Sequence, residues 1–186
     1  MQELTDKEVV RGVIEGRRDA VDALVEDCYE RVFSLAARLL QDHDTAKDVA
    51  QETFIRVLDK IGKFRFKSSL RTWVLSIAYN LCMNRLQSGA KTNELNVEHM
   101  DRPNENEDEA NAKYLQEQRF QELEKAVQNL EPYERVIIEL HYLNGCSIRE
   151  IALVLQKSET AAKTALFRAR EKLKTLVMTY KNYEFS

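Results

Sequence analysis

The sequence predicts an all-α protein of two small helical domains joined by an acidic flexible linker, the C-terminal one containing a helix-turn-helix. Three observations carry this expectation. The 186 residues hold only five Gly and two Pro, too little turn chemistry for a many-stranded sheet. Apolar side chains recur at helical spacing through both halves of the chain. Between the halves, "SGAKTNELNVEHMDRPNENEDEANAK" loses that period and gathers acids, Asn, a Ser-Gly pair and Pro103. The chain therefore divides into an N-terminal domain (1–88), a linker (89–112) and a C-terminal domain (113–186). Residues 1–88 carry 14 cations and 14 anions, 89–119 carry 4 and 8, and 120–186 carry 10 and 9, so the acid excess falls on the middle block.

The first helix opens at the capping box "TDKE", Thr5 to Glu8, and repeats Val9, Val10, Val13 and Ile14 on one side. A longer one runs from about Asp19 to Leu40, with Ala23, Leu24, Tyr29, Val32, Phe33, Ala36 and Leu39 or Leu40 inward. Asp44 can cap a third, whose apolar side is Val49, Thr53, Phe54, Val57, Leu58 and Ile61. Ser68 or Ser69 can cap a fourth, where Leu70, Trp73, Val74, Ile77, Ala78 and Leu81 form a core-facing stripe. Arg71, Ser76, Asn80, Asn84 and Gln87 project elsewhere.

Beyond the linker, an amphipathic helix spans about Tyr114 to Gln128 and another begins at Pro132, which suits a first helical turn. "SIRE", Ser147 to Glu150, is a second capping box and opens a short helix with Ile148, Ile151, Ala152 and Leu155. Gln156 and Lys157 make a tight break. Ser158 caps a longer helix with Ala162, Leu166, Ala169, Leu173 and Leu176 inward. A short helix, a tight turn and a longer cationic helix outline a helix-turn-helix. From Lys157 to Lys181 there are seven cations against Glu159 and Glu171. The outward Ser158, Thr160, Lys163, Thr164, Phe167, Arg168 and Arg170 suit phosphate and base-edge contacts in duplex DNA.

A second surface has a different character. The net charge is -3, yet Lys60 to Asn93 holds seven cations and no acid, together with Phe64, Phe66, Trp73 and Tyr79. Rings stack on unpaired bases for about 1 to 3 kcal/mol each, comparable with the few kcal/mol that extruding a base costs. Cations for the backbone, rings for stacking and the amides of Asn80 and Asn84 for base edges could hold an opened strand. The competing reading places Trp73 in the core, beside Leu70 and Ile77.

Other classes find little support. Cys28, Cys82 and Cys146 are odd in number and widely spaced, so buried reduced thiols are expected rather than a disulfide or metal framework. His43, His99 and His141 are scattered, and no Gly-rich phosphate loop or Ser/His/Asp set stands out, so neither an enzyme nor a cofactor or metal is expected. No apolar run approaches the roughly 20 residues that cross a bilayer. "MQELTDKEVV" lacks the pattern of a secretion signal, so a cytoplasmic protein without membrane insertion is expected.

"DTAKDVAQETFIRVLDKIGKF" (Asp44 to Phe64), "SSLRTWVLSIAYN" (Ser68 to Asn80) and "LEPYERVIIELHYLNGCSIREIALVLQKSETAAKTALFRAREKLKTL" (Leu130 to Leu176) resemble, in order and spacing, bacterial sigma factors of the extracytoplasmic-function group. The match takes in nearly the whole chain. It implies a dissociable specificity subunit that binds core RNA polymerase, recognises the minus-ten and minus-thirty-five promoter elements and promotes DNA opening. Residue by residue, it implies that Asp48, Gln51, Glu52, Phe54, Ile55 and Arg56 grip the clamp of the large polymerase subunit. Phe64, Arg71, Trp73, Tyr79, Asn80 and Asn84 then fall in the segment that reads and opens the minus-ten element. Ser158, Thr160, Lys163, Thr164, Phe167, Arg168 and Arg170 fall on the helix that reads the minus-thirty-five element. An anti-sigma factor is implied as a further partner. Two departures matter: Ala165 stands where an Arg is frequent, removing a phosphate or base contact, and Asn84 stands where an Asp is common.

The residues themselves support the division, because Asp44, Asp48 and Glu52 form an acidic stripe unsuited to DNA but suited to a basic protein partner. The alternative is a dimeric helix-turn-helix regulator with an N-terminal sensor domain, which would require two-fold symmetry and palindromic half-sites.

Overall fold

The computed structural model describes residues 4–89 and 121–183, and the described residues are helical with turns between. The linker expected over 89–112 and the first residues of the helix expected from Tyr114 lie outside them, apart from Gly89.

Helix α1 (Asp6–Ile14) starts at the expected box: Thr5 Oγ1 accepts from the Glu8 amide while Glu8 accepts from the Thr5 amide at 2.8 Å. Helix α2 (Arg18–Leu40) ends on Gln41 in the left-handed region. Helix α3 (His43–Lys60) is capped by Asp42, which accepts from the Thr45 amide at 2.7 Å, rather than by Asp44, which falls in the first turn. A short 3-10 turn (Ile61–Lys63) leads through an irregular segment to α4 (Leu70–Gly89). Two groups satisfy the start of α4: Ser69 Oγ accepts from the Thr72 amide at 3.1 Å, and Asp6 of α1 accepts from the Leu70 amide at 2.7 Å. The first helix of the chain thus caps the fourth.

Residues 121–128 form the described part of α5. Helix α6 (Pro132–Ile138) carries Pro at its first position and continues into a π-helical turn (Glu139–Leu143), closed by the Asn144 amide on the Glu139 carbonyl at 3.0 Å. The periodicity reads this run as one helix; the widened turn was invisible in it. Helix α7 (Ile148–Leu155) opens on the expected Ser147/Glu150 box, and Gln156 (φ 54) turns the chain into α8 (Glu159–Tyr183), with Ser158 Oγ accepting from the Ala161 amide at 3.2 Å.

Helices α2, α3 and α4 pack against one another, with α1 across α2. Helices α6, α7 and α8 form the C-terminal group. The two groups also close on each other, α4 against α7 and α2 against α6. One continuous apolar core runs from Leu35, Leu39 and Leu75 into Ile137, Leu140 and Ile151. Hydrophobic burial therefore holds the halves together as well as each within itself.

Candidate functional site

Three surfaces carry the residues singled out above. On α3, Asp48 and Gln51 are exposed, Ile55 is 68% exposed, and Leu58 stands beside them at 42%. Leu58 was expected on the inward side and instead extends this stripe. Phe54 is buried, its ring stacked on Tyr29 at 6.3 Å, so it supports the face from beneath. Glu52 is clasped by Arg56 at 2.6 Å on its own helix and Arg85 of α4 at 3.3 Å. Burial works against its charge, but the two guanidinium groups prevail and hold the carboxyl below its ordinary value. The acidic stripe is thus partly neutralised from within, by Arg56 on the same helix and by Arg85 of α4, which the sequence did not single out.

The second surface lies where the irregular segment meets α4. Phe64 is buried and forms the floor, with Phe66 at 4.8 Å and Trp73 at 5.1 Å between ring centroids. Phe66 has φ 53, an uncommon conformation for a bulky residue, and the residue is 46% exposed. Lys63, Phe64, Arg65, Lys67, Ser68 and Trp73 line a cleft of about 400 Å³. Flat rings and backbone-seeking cations meet there. Trp73 is half-buried, between the core and surface positions weighed for it.

The remaining minus-ten candidates separate. Arg71 forms a bidentate pair with Asp27 of α2, at 2.5 and 3.2 Å. Tyr79 is buried among core residues, and that burial raises its phenol. Asn80 is half-buried and accepts a hydrogen bond from Gln156, in the turn of the helix-turn-helix, at 3.1 Å. Asn84 is exposed.

On α8, Ser158, Thr160, Lys163, Thr164, Phe167, Arg168 and Arg170 are all exposed, while Ala162, Leu166 and Ala169 are buried beneath them. Phe167 is 64% exposed, free to meet an apolar group such as a thymine methyl. The Arg170 guanidinium lies 5.3 Å from the centroid of Tyr142, which holds it to one side of the helix. Ala165, at the departure from the family pattern, is half-buried. Lys172 anchors the helix to α6 through Glu134 at 2.8 Å.

The comparisons with known proteins follow this division. Residues 24–92 match Sigma-70 region 2, and residues 120–173 match Sigma-70, region 4. The chain belongs to the extracytoplasmic-function group of the sigma-70 family. It is 30% identical over 171 residues to the ECF RNA polymerase sigma factor BldN of Streptomyces coelicolor, covering 91% of this chain and 65% of that one. It is 29% identical over 177 residues to the RNA polymerase sigma-H factor of Pseudomonas aeruginosa, covering 89% and 90%. The solved structure of sigma factor RpoE with anti-sigma factor NepR from Bartonella quintana shares its fold at TM-score 0.65, with 21% identity over 83% of this chain and 94% of that one. In this sigma factor the region 2 match takes in the α3 face and the aromatic cleft, and the region 4 match takes in most of α8. Among the described residues no helix is long and apolar enough to cross a membrane, and no group of His, Cys, Asp and Glu could hold a metal ion.

Proposed function

We propose that this sigma factor docks on core RNA polymerase through the exposed α3 stripe of Asp48, Gln51, Ile55 and Leu58, and opens promoter DNA at the aromatic cleft. The cleft carries the proposal. A base leaving the duplex meets Trp73 and Phe66 as stacking partners while Lys63, Arg65 and Lys67 meet the strand's phosphates. One stacked base returns about 1 to 3 kcal/mol, which offsets the extrusion of one base and not of several. Further opening must come from the polymerase.

Asn84 then reads the same strand further along α4, and Asn80 joins it once its bond to Gln156 is released. Arg71 acts through its pair with Asp27, fixing α4 on α2, and Tyr79 and Phe54 act from the core as positioning residues. The exposed face of α8, from Ser158 to Arg170, enters the major groove of the minus-thirty-five element. The domains are 1–88 and 113–186, joined by the acidic linker 89–112. The protein works in the cytoplasm, is not an enzyme and needs no cofactor. An anti-sigma factor is a further partner and covers the polymerase-binding face; the Bartonella sigma factor of the same fold was solved in complex with the anti-sigma factor NepR. The dimeric regulator is not favoured, because both sigma regions are present in order.

The test is co-elution with sigma-free core polymerase, followed by run-off transcription on genomic promoter fragments. Complex formation and discrete transcripts are expected. An active core that leaves the protein behind would sink the proposal. In permanganate footprinting of the same polymerase–promoter complexes, Trp73→Ala lowers the reactivity of promoter thymines roughly tenfold, the factor that 1.4 kcal/mol of lost stacking produces.

A further inference from the structure

One carboxylate serves two helix ends. Asp6 stands in the acidic first turn of α1, and its Oδ2 also accepts from the Leu70 amide of α4 at 2.7 Å. The first amides of a helix have no carbonyl of their own helix to reach. At α4, Ser69 Oγ takes the Thr72 amide and the Ser69 carbonyl takes the Trp73 amide, each at 3.1 Å. The Leu70 amide depends instead on a residue 64 positions earlier. Leu70 is buried, so water is a poor substitute for that acceptor. A carboxylate there also meets the positive end of the α4 dipole.

Helix α1 reaches the other end of the same segment as well. It packs against the 3-10 turn Ile61–Lys63, where the Ile61 carbonyl takes the Phe64 amide at 3.0 Å. Between that turn and α4 lies the irregular stretch from Phe64 to Ser69, which supplies most of the aromatic cleft. Among the described residues, none of the amides from Arg65 to Ser69 donates a hydrogen bond. The stretch is therefore held chiefly from its ends, and α1 is present at both. Val9, Val10 and Gly12 are the buried residues of α1, and they fix it where it crosses α2.

We propose that Asp6 is a positioning residue for strand opening: by capping α4 from α1 it fixes the first turn of α4 and the stretch before it, and so the relative placement of Phe66, Trp73 and the cleft cations. The inference rests on the role of the cleft argued above. A carboxylate is unsuited to meet a phosphate, so Asp6 acts through Leu70 and the residues that follow it. Without this acceptor the first turn of α4 frays. Trp73, one turn in, then loses its fixed relation to Phe64, which is 5.1 Å away between ring centroids. A cleft that is in order only part of the time captures bases in proportion to that fraction.

The experiment uses the full chain on core polymerase, with permanganate reactivity of promoter thymines as the readout of opening. Asp6→Ala is expected to lower it roughly fivefold, the scale of one lost cap acceptor, at unchanged co-elution with core. Asp6→Asn keeps an acceptor oxygen and is expected to restore most of the reactivity. Thr5→Ala removes the cap of α1 and leaves the Leu70 amide alone, so it reports what weakening α1 does by itself; near wild-type reactivity is expected. Trp73 is the one tryptophan of the chain, so its emission in the free protein reads the cleft directly. Asp6→Ala shifts that emission to longer wavelength, and Asp6→Asn and Thr5→Ala leave it in place. Equal losses for Asp6→Ala and Thr5→Ala would reduce Asp6 to a structural residue of α1 and overturn the proposal. Wild-type emission and reactivity in Asp6→Ala overturn it too, and a defect in Trp73→Ala then leaves the cleft reading standing. A Trp73→Ala holoenzyme that opens promoters as wild type does removes the cleft reading, and the positioning role with it.

Discussion

Gly12 shows how little room single positions leave. A Cβ built there would lie 2.5 Å from the Cβ of Ala20, so α1 crosses α2 at a distance only glycine permits. Gly12→Ala gains helix propensity but must push the helices apart, and overpacking of this kind costs about 1 to 3 kcal/mol. Thermal unfolding followed by circular dichroism should show a lowered Tm; an unchanged or raised Tm would mean the crossing relaxes freely. The cysteines make a second case. Burial pushes the Cys28 and Cys82 thiols up to about 12 and Cys146 to about 11, so all three remain protonated at neutral pH, where thiolate is the reactive form. Native protein should resist a thiol reagent at pH 7 to 8 and yield all three on unfolding; fast labelling of the folded chain would contradict the burial. Three reduced, buried thiols were legible from their spacing alone. The partner of Arg71 was not, because Asp27 sits 44 residues earlier on another helix and only packing brings the two together.

At the scale of elements, local signals carried over where a side chain acts on its own helix end. The Thr5 and Ser147 boxes, the Ser158 cap and the Pro132 start are short-range chemistry, and each stands in the structure as the residues imply. What periodicity could not resolve was the rim of each stripe. Leu58 is adjacent to buried Val57 and fits an inward stripe by hydropathy, yet lies 42% exposed next to Ile55, because α3 is covered on one side only. That pair gives the α3 face its apolar centre, framed by Asp48 and Gln51. Ile55→Glu should therefore leave helix content and Tm nearly unaltered, as exposed positions away from special features usually do, while weakening co-elution with core polymerase by tenfold or more. Loss of folding would place Ile55 in a structural role instead, and undiminished co-elution would move the docking surface off α3.

Across the whole molecule, net charge sets how the free chain meets DNA. A chain of net charge -3 has little to offer DNA at a distance, because non-specific affinity comes from releasing counterions as cations neutralise phosphates. Two sets of its cations stand with few acids beside them, one on α8 and one around the aromatic cleft. The free protein should therefore bind duplex DNA at the weak end of non-specific affinity, on the order of 10⁻⁴ M at physiological salt. The holoenzyme should bind its promoter tightly with a steep salt dependence. Lys163→Ala and Arg168→Ala remove single contacts from the exposed face of α8. Each should lower the slope of log affinity against log salt by about 1 if its residue meets a phosphate, with the loss uniform across promoter sequences. If either residue reads a base, the slope stays and the loss instead concentrates on promoters altered in the minus-thirty-five element. Fluorescence anisotropy of holoenzyme on labelled promoter fragments between about 50 and 200 mM salt separates the two roles. A slope and sequence preference both equal to wild type would remove that residue from the DNA face altogether.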